Sequence, residues 1–139
     1  MAQGTGPQTP EQKAQVSVLT RQGLFKVQGF VFGPAGAMIR PGGKFDAAMA
    51  QKAGERLQIT GGLIPELFAN DTHTFSIPTK AREGIWTNKS DFDAKANDLV
   101  KAASELEMTA KGGDEAATKK AIIGVGKACG ACHDQFRDK

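Results

Sequence analysis

Residues 114–136 read DEAATKKAIIGVGKACGACHDQF and contain both cysteines of the chain. The first residue of this stretch, Asp114, is a favourable helix N-cap, and no proline interrupts the residues after it. Small or apolar side chains recur at steps of four and three, which places them on one helix face: Thr118, Ile122, Val125, Cys129, Cys132 and Phe136. The stretch is therefore predicted to form one amphipathic helix that runs nearly to the C-terminus.

Three earlier segments have similar spacing. A first helix is predicted over residues 11–32 and should end where glycine and proline crowd residues 33–43. A second is predicted over residues 45–62, and a third starts with an S-x-x-D capping pattern at Ser90 and Asp93. No segment shows the alternation of a strand. We therefore predict an all-α fold, an antiparallel four-helix bundle.

The first predicted helix has apolar residues on two faces. One broad face carries Val16, Leu19, Leu24, Val27, Phe30 and Val31, and the opposite face carries Val18, Phe25 and Phe32. Two apolar faces require two burial partners, such as a bundle core on one side and a cofactor or second subunit on the other. The spacing alone leaves open which face serves which partner.

Length and composition indicate one ordinary globular domain. The chain has 139 residues, 40% of them hydrophobic and 24% charged, with a formal net charge of +3. Residues 1–10 are predicted to be a flexible lead-in, residues 11–139 a single domain, and residues 70–88 a long connection within it. The basic residues form no dense run, so nucleic acid is not expected, and neither a membrane-spanning segment nor a signal peptide is evident.

The only two cysteines lie in Cys129-Gly130-Ala131-Cys132-His133, the C-x-x-C-H pattern of covalent c-type haem attachment. On a helix, positions i, i+3 and i+4 share a face, so two thiols can bond the haem vinyl groups while the imidazole reaches the iron. A disulfide, a zinc site and a thioredoxin-like pair are the alternatives. Zinc would need a fourth ligand, for which only His73 remains, and a thioredoxin motif belongs near a βαβ pattern. One covalent haem c, near the C-terminus, is therefore predicted.

The sequence resembles the cytochrome c′ family of class II c-type cytochromes over residues 11–139. The resemblance depends on the C-terminal CGACH followed by Arg137, on Arg21-Gln22 in the first helix, and on Thr79-Lys80-Ala81-Arg82 to Ile85-Trp86 in the long connection.

This resemblance implies roles for individual residues. His133 is the expected iron ligand, Arg21 could meet a haem propionate, and Phe25, one turn further, would cover the open side of the iron. Gln22, Thr79 and Lys80 match family positions that line the haem edge. Trp86 is expected to pack near the haem or the end of the bundle. Arg137 would place a cation beside the proximal imidazole; the alternative is an arginine that satisfies the C-terminus of its own helix.

A second strong iron ligand is missing from the sequence pattern. Low-spin relatives carry a methionine in the first helix, whereas Met38, Met49 and Met108 are predicted to lie outside it. His73 is expected to be a solvated loop residue. Five-coordinate, high-spin iron is therefore predicted.

The resemblance and the haem chemistry together predict a bacterial periplasmic protein that binds small gases, NO and CO, in NO scavenging or tolerance. Many family members form homodimers through their first two helices, so a homodimer is expected. The alternative function is a periplasmic electron carrier with an unknown redox partner. No catalytic residue is predicted, because the residues around Phe25 include no acid or base of the usual kind.

Overall fold

The first helix of the structure, a computed structural model that describes residues 6–139, is longer than the sequence pattern predicts. α1 spans Pro10–Met38. It begins with a capping box in which the Thr9 hydroxyl accepts from the Gln12 backbone N–H at 3.2 Å and the Thr9 N–H donates to the Gln12 side chain at 2.9 Å. The predicted start is thus confirmed within one residue, while residues 1–5 of the predicted lead-in lie outside the described residues.

The predicted end of α1 at residue 32 is wrong, because the helix continues through Pro34 to Met38. An internal proline costs a helix about 3 kcal/mol through a lost hydrogen bond and a steric clash. Here the last turn of the helix is buried: Ala35 is fully covered and Met38 is 4% exposed. Burial of this turn against the core offsets the cost of the proline.

The remaining helices complete an antiparallel four-helix bundle, as predicted. They are α2 (Ala47–Gly62), the short α3 (Ile64–Leu67), the short α4 (Gly84–Thr87), α5 (Lys89–Lys111) and α6 (Glu115–Phe136). Residues 6–139 contain no strand, only an isolated bridge between Ala81 and Arg137. None of their helices is both long and apolar enough to cross a membrane.

The N-termini of α5 and α6 test the two capping predictions. Asp114 caps α6, since its carboxylate accepts from the Ala117 N–H at 2.7 Å. The prediction that Ser90 caps α5 is wrong, because the helix begins one residue earlier, at Lys89. The Lys89 ammonium pairs with Asp93 and donates to the Pro65 carbonyl at 3.3 Å, so Asp93 serves this pair instead of a capping box.

The core lies mainly between α2, α5 and α6. α5 buries the stripe that its spacing predicts: Phe92, Ala96, Leu99, Ala103, Leu106 and Ala110. α2 approaches α5 closely at Gly54, where an added Cβ would lie 2.6 Å from the Glu107 nitrogen and 2.7 Å from the Ala103 oxygen. The small side chains therefore let these two backbones pack directly against each other.

The variant Gly54→Ala is expected to lower the free energy of unfolding by about 1–3 kcal/mol, because the new methyl group meets backbone atoms that cannot turn aside. The matched control is Gly62→Ala in the same helix, where an added Cβ meets nothing within 4 Å. Chemical denaturation of the haem-bound protein measures both. Equal stability of the two variants would contradict this close helix contact.

Candidate haem site

The last turns of α6 carry the C-x-x-C-H residues on one side of the helix. Cys129 and Cys132 are free and half-buried, and both pack against the hydrophobic core. The next residue, His133, is more exposed, and its ring takes part in none of the side-chain hydrogen bonds found within residues 6–139. Two thiols and one imidazole are therefore available to a group lying against this face.

The protonation of these side chains suits a covalently held haem. Burial raises the pKa of the Cys129 thiol. It also raises the pKa of Cys132, to about 11, although the nearby charge of Lys95 acts to lower it. Burial, together with the nearby charge of Arg137, lowers the pKa of His133. The thiols are thus neutral at neutral pH, and the imidazole keeps a free lone pair for a metal. These donors fit a haem attached by two thioethers.

The alternatives to haem receive no support from the arrangement. The two cysteines are not joined in a disulfide. Within residues 6–139, no group of three or more histidine, cysteine or acidic side chains is arranged to hold a metal ion by itself. A zinc site formed by Cys129, Cys132, His133 and His73 is therefore not assembled.

Arg21 is buried and makes hydrogen bonds that the sequence did not indicate. It is 3% exposed, and its guanidinium holds the loop after α3. Nε donates to the Leu67 carbonyl at 2.6 Å, Nη1 to the Thr72 hydroxyl at 2.8 Å and Nη2 to the Asn70 carbonyl at 2.5 Å. The propionate contact remains a prediction, and it would have to use the guanidinium N–H groups that these bonds leave free.

Phe25 lies at the edge of an aromatic cluster. Its ring is 37% exposed and packs against Phe68, with ring centroids 6.1 Å apart. Trp86 lies on another side of Phe68 at 6.2 Å, and its indole N–H donates to the Phe68 carbonyl at 2.8 Å. The Arg21 guanidinium lies 4.5 Å from the Phe68 ring centroid and 5.4 Å from that of Trp86. Arg21, Phe25 and Trp86 are thus brought together around Phe68 as one aromatic wall.

The other predicted residues form a second group, between α1 and the C-terminus. The Gln22 amide donates to the Pro78 carbonyl at 3.3 Å, and the Thr79 hydroxyl accepts from the Ala81 N–H at 3.1 Å. Lys80 is exposed, and the bridge from Ala81 joins this segment to Arg137. The segment therefore spans from α1 to the end of α6, although its predicted haem contacts remain predictions.

His73 is exposed, as expected, but it is also held in place. Its ring bonds Asp71 at 2.6 Å, lies 3.5 Å from a Glu83 carboxylate oxygen and stacks on Trp86 with centroids 6.2 Å apart. The hydrogen bond to Asp71 raises the pKa of His73. Sequence reasoning placed it in a loop and missed its contact with the aromatic wall, for which the linear sequence carries no signal.

Comparison with known proteins agrees with this site. The family model described as Cytochrome C' matches residues 17–137. Cytochrome c′ from Rhodopseudomonas palustris is 36% identical over 127 residues, which cover 91% of this chain and 85% of that protein. The structure of cytochrome c′ from Rhodobacter sphaeroides is 32% identical and superposes with a TM-score of 0.81, covering 91% of this chain and 98% of that one.

A nitric oxide complex of a single-site variant of cytochrome c′ from Alcaligenes xylosoxidans is 26% identical, with a TM-score of 0.78 over 91% of this chain and 98% of that one. The fold, the thiol pair on α6 and the extent of these matches lead to one conclusion. The chain belongs to the cytochrome c′ family, whose members bind haem c covalently, and its own attachment residues are Cys129 and Cys132.

Proposed function

We propose that this chain, with residues 11–139 as one domain, is a periplasmic protein that binds NO or CO on the haem iron and contributes to NO scavenging. His133 is the one protein ligand of the iron, and the gas binds on the opposite side, beside Phe25. The observation that carries this proposal is the half-exposed apolar ring of Phe25, one helical turn from Arg21. Thioether attachment is consistent with an oxidising compartment such as the periplasm.

The methionines support a single protein ligand, for a reason that differs from the sequence argument. Met38 lies inside α1, contrary to the prediction. It is nevertheless thirteen residues beyond Phe25 in the sequence, roughly 20 Å along a helix axis, and it is buried in the core. Met49 and Met108 lie on α2 and α5. None of these methionines lies within one helical turn of Phe25 on α1.

The side chains near Phe25 favour an uncharged diatomic ligand. The bound haem would supply an iron atom with one coordination position left for a gas. Within one turn on either side of Phe25, α1 carries no histidine, aspartate or glutamate. The nearest charges on α1 are Arg21, whose guanidinium holds the loop after α3, and the exposed Lys26. The Phe25 ring itself offers no partner to bound water, anions or hydrogen-bonded O₂, whereas NO and CO need none. The same lack of acid and base groups favours binding over turnover.

Absorption and EPR spectra of the purified haem-bound protein test this proposal, in the ferric and ferrous states, before and after addition of NO and CO. High-spin signals that change on addition of gas are expected. Low-spin spectra that do not respond to gas would overturn the proposal and would favour the alternative, an electron carrier with a second protein ligand.

The variant Phe25→Ala is expected to raise the CO affinity of the ferrous protein by about tenfold, equivalent to about 1.4 kcal/mol, because it opens space over the iron. A CO titration followed by absorption measures the change. Phe45→Ala, which truncates a partly buried ring just before α2, is the control and should bind CO as the parent does. Unchanged CO binding in Phe25→Ala would remove Phe25 from the gas site.

We further propose that the protein is a homodimer held by the outer face of α1 and α2. The broad apolar face predicted for α1 is largely uncovered: Val16, Leu19, Val27 and Phe30 are 49%, 60%, 50% and 78% exposed, and Ile59 on α2 is 65% exposed. Phe30, Val27 and Ile59 line one shallow hollow with Val31, Arg56 and Thr60. An apolar surface of this kind is typical of a protein interface.

The variant Phe30→Asp should therefore convert the dimer to a monomer, because it would bury an unpaired carboxylate at the interface. Sedimentation velocity over a range of protein concentrations measures the association state. The control, Met108→Asp, places the same charge at a 68% exposed position on α5. A Phe30→Asp protein that sediments as a dimer would contradict the proposed interface.

A further inference from the structure

The ring of Phe68 lies between all the other members of the aromatic wall. Besides Phe25 and Trp86, it contacts Phe92 edge-on with centroids 4.9 Å apart, and the Arg21 guanidinium lies over it. Phe68 is 4% exposed, whereas Phe25 is 37% exposed. The Phe68 ring is therefore enclosed by protein, whereas the Phe25 ring contacts protein on only part of its surface.

The backbone around Phe68 is held by hydrogen bonds to three helices. Its N–H donates to the Ile64 carbonyl at 3.2 Å, and its carbonyl accepts from Trp86. Arg21 binds the carbonyls of Leu67 and Asn70, on either side of Phe68 in the sequence. Phe68 is thus anchored by α1, α3 and α4, so it cannot yield easily when its neighbour moves.

A ring that covers a ligand-binding position must turn or shift when a ligand arrives. Phe25 is 37% exposed and so has room on its solvent side, whereas on the side of Phe68 it meets a buried, anchored ring. The contact also stabilises the covering position, since an aromatic pair contributes beyond the area it buries. The resistance of Phe25 to displacement therefore depends on the ring behind it.

We infer that Phe68 is a positioning residue for gas binding, which holds Phe25 over the ligand side of the iron and so limits the affinity for CO and NO. This inference depends on the proposed function, in which Phe25 covers the iron. Phe68 acts through Phe25 and does not itself touch the ligand.

The test compares the CO affinity of ferrous haem-bound proteins carrying Phe68→Leu, Phe25→Ala or both. Phe68→Leu should raise the CO affinity about twofold to tenfold, because losing the contribution of one aromatic pair changes an affinity by that factor. The same change in the Phe25→Ala background should have no further effect. Phe68→Met, whose unbranched side chain adapts more readily to the space left by the ring, replaces Phe68→Leu if the latter does not fold.

Leu106→Ala is the matched control, because it removes as many carbon atoms from a fully buried side chain of α5. Leu106 is fourteen residues beyond Phe92, roughly 21 Å along the helix axis. It should lower Tm and leave the CO affinity unchanged. Equal CO affinities of Phe68→Leu and Leu106→Ala would overturn the inference, as would an effect of Phe68→Leu that persists without Phe25. An unchanged affinity in Phe25→Ala itself would instead overturn the proposed cover, and the inference with it.

Thermal denaturation supplies a readout that does not depend on gas. The decreases in Tm caused by Phe25→Ala and Phe68→Leu should be non-additive, because the two substitutions remove the same contact. Those caused by Phe25→Ala and Leu106→Ala should be additive. Additive losses for the Phe25 and Phe68 pair would show that the two rings are not coupled and would overturn the inference.

Discussion

Replacing both Cys129 and Cys132 with serine is expected to abolish covalent haem attachment. A serine hydroxyl does not form the thioether bonds that the thiols make with haem vinyl groups, and these are the only two cysteines in the chain. Each single replacement should leave one bond in place. Mass spectrometry under denaturing conditions, together with haem staining of a denaturing gel, measures the attached haem directly.

Ala131→Ser is the matched control for this experiment. It adds a hydroxyl group inside the same motif, at an exposed position, and leaves both thiols unchanged. Covalent haem should therefore be present at the level of the parent protein. Haem that survives denaturation of the double serine variant would mean that attachment does not use the C-x-x-C thiols, and the assignment of haem c would fail.

The hydrogen bonds of Arg21 are expected to contribute strongly to the stability of the protein. Arg21→Met should lower the free energy of unfolding by about 3 kcal/mol, because it removes three hydrogen bonds from a charged donor and leaves their acceptors unpaired in a partly buried loop. Methionine keeps much of the apolar stem, so the change isolates the guanidinium. Chemical denaturation of the haem-bound protein measures the loss.

Lys26→Met, which removes an exposed positive charge from the same helix, is the control and should change stability little. A comparison with Thr72→Val then separates the stability that Arg21 gains from its loop partners from any stability due to a haem propionate. This variant removes one loop partner of Arg21 and no charge, so a measurable loss of stability is expected for it too. If Lys26→Met and Arg21→Met were equally stable, the anchoring role of Arg21 would be wrong.

Most of the helical architecture could be predicted from periodicity. The buried stripes of α5 and α6 are the residues that recur at steps of three and four, since one face of a helix packs against its neighbours. The errors fall at helix ends. Pro34 and Ser90 have strong local preferences, but burial beyond Pro34 and the contact between Lys89 and Pro65 outweigh them.

The residues of the haem site also differ in how much of their role the sequence predicts. Cys129, Cys132 and His133 are neighbours in sequence, so their spacing alone brings them to one helix face. Arg21 and Phe25 were indicated by the resemblance to a family, which pointed to their neighbourhood without showing their partners in the protein.

Those partners lie far along the chain. Arg21 binds residues 46 to 51 positions away, and Trp86 donates to a carbonyl 18 positions away. Phe68, which directly follows the short helix α3, is enclosed only because α1, α4 and α5 meet around it.

The helical bundle and the covalent haem site can be predicted from the residues alone, because helical period and motif spacing are local properties that depend on neighbouring residues. The end of α1, the partners of Arg21 and the ring behind Phe25 follow only from the folded structure. These depend on packing and hydrogen bonds between distant segments, whose free energies exceed local preferences once the helices have come together.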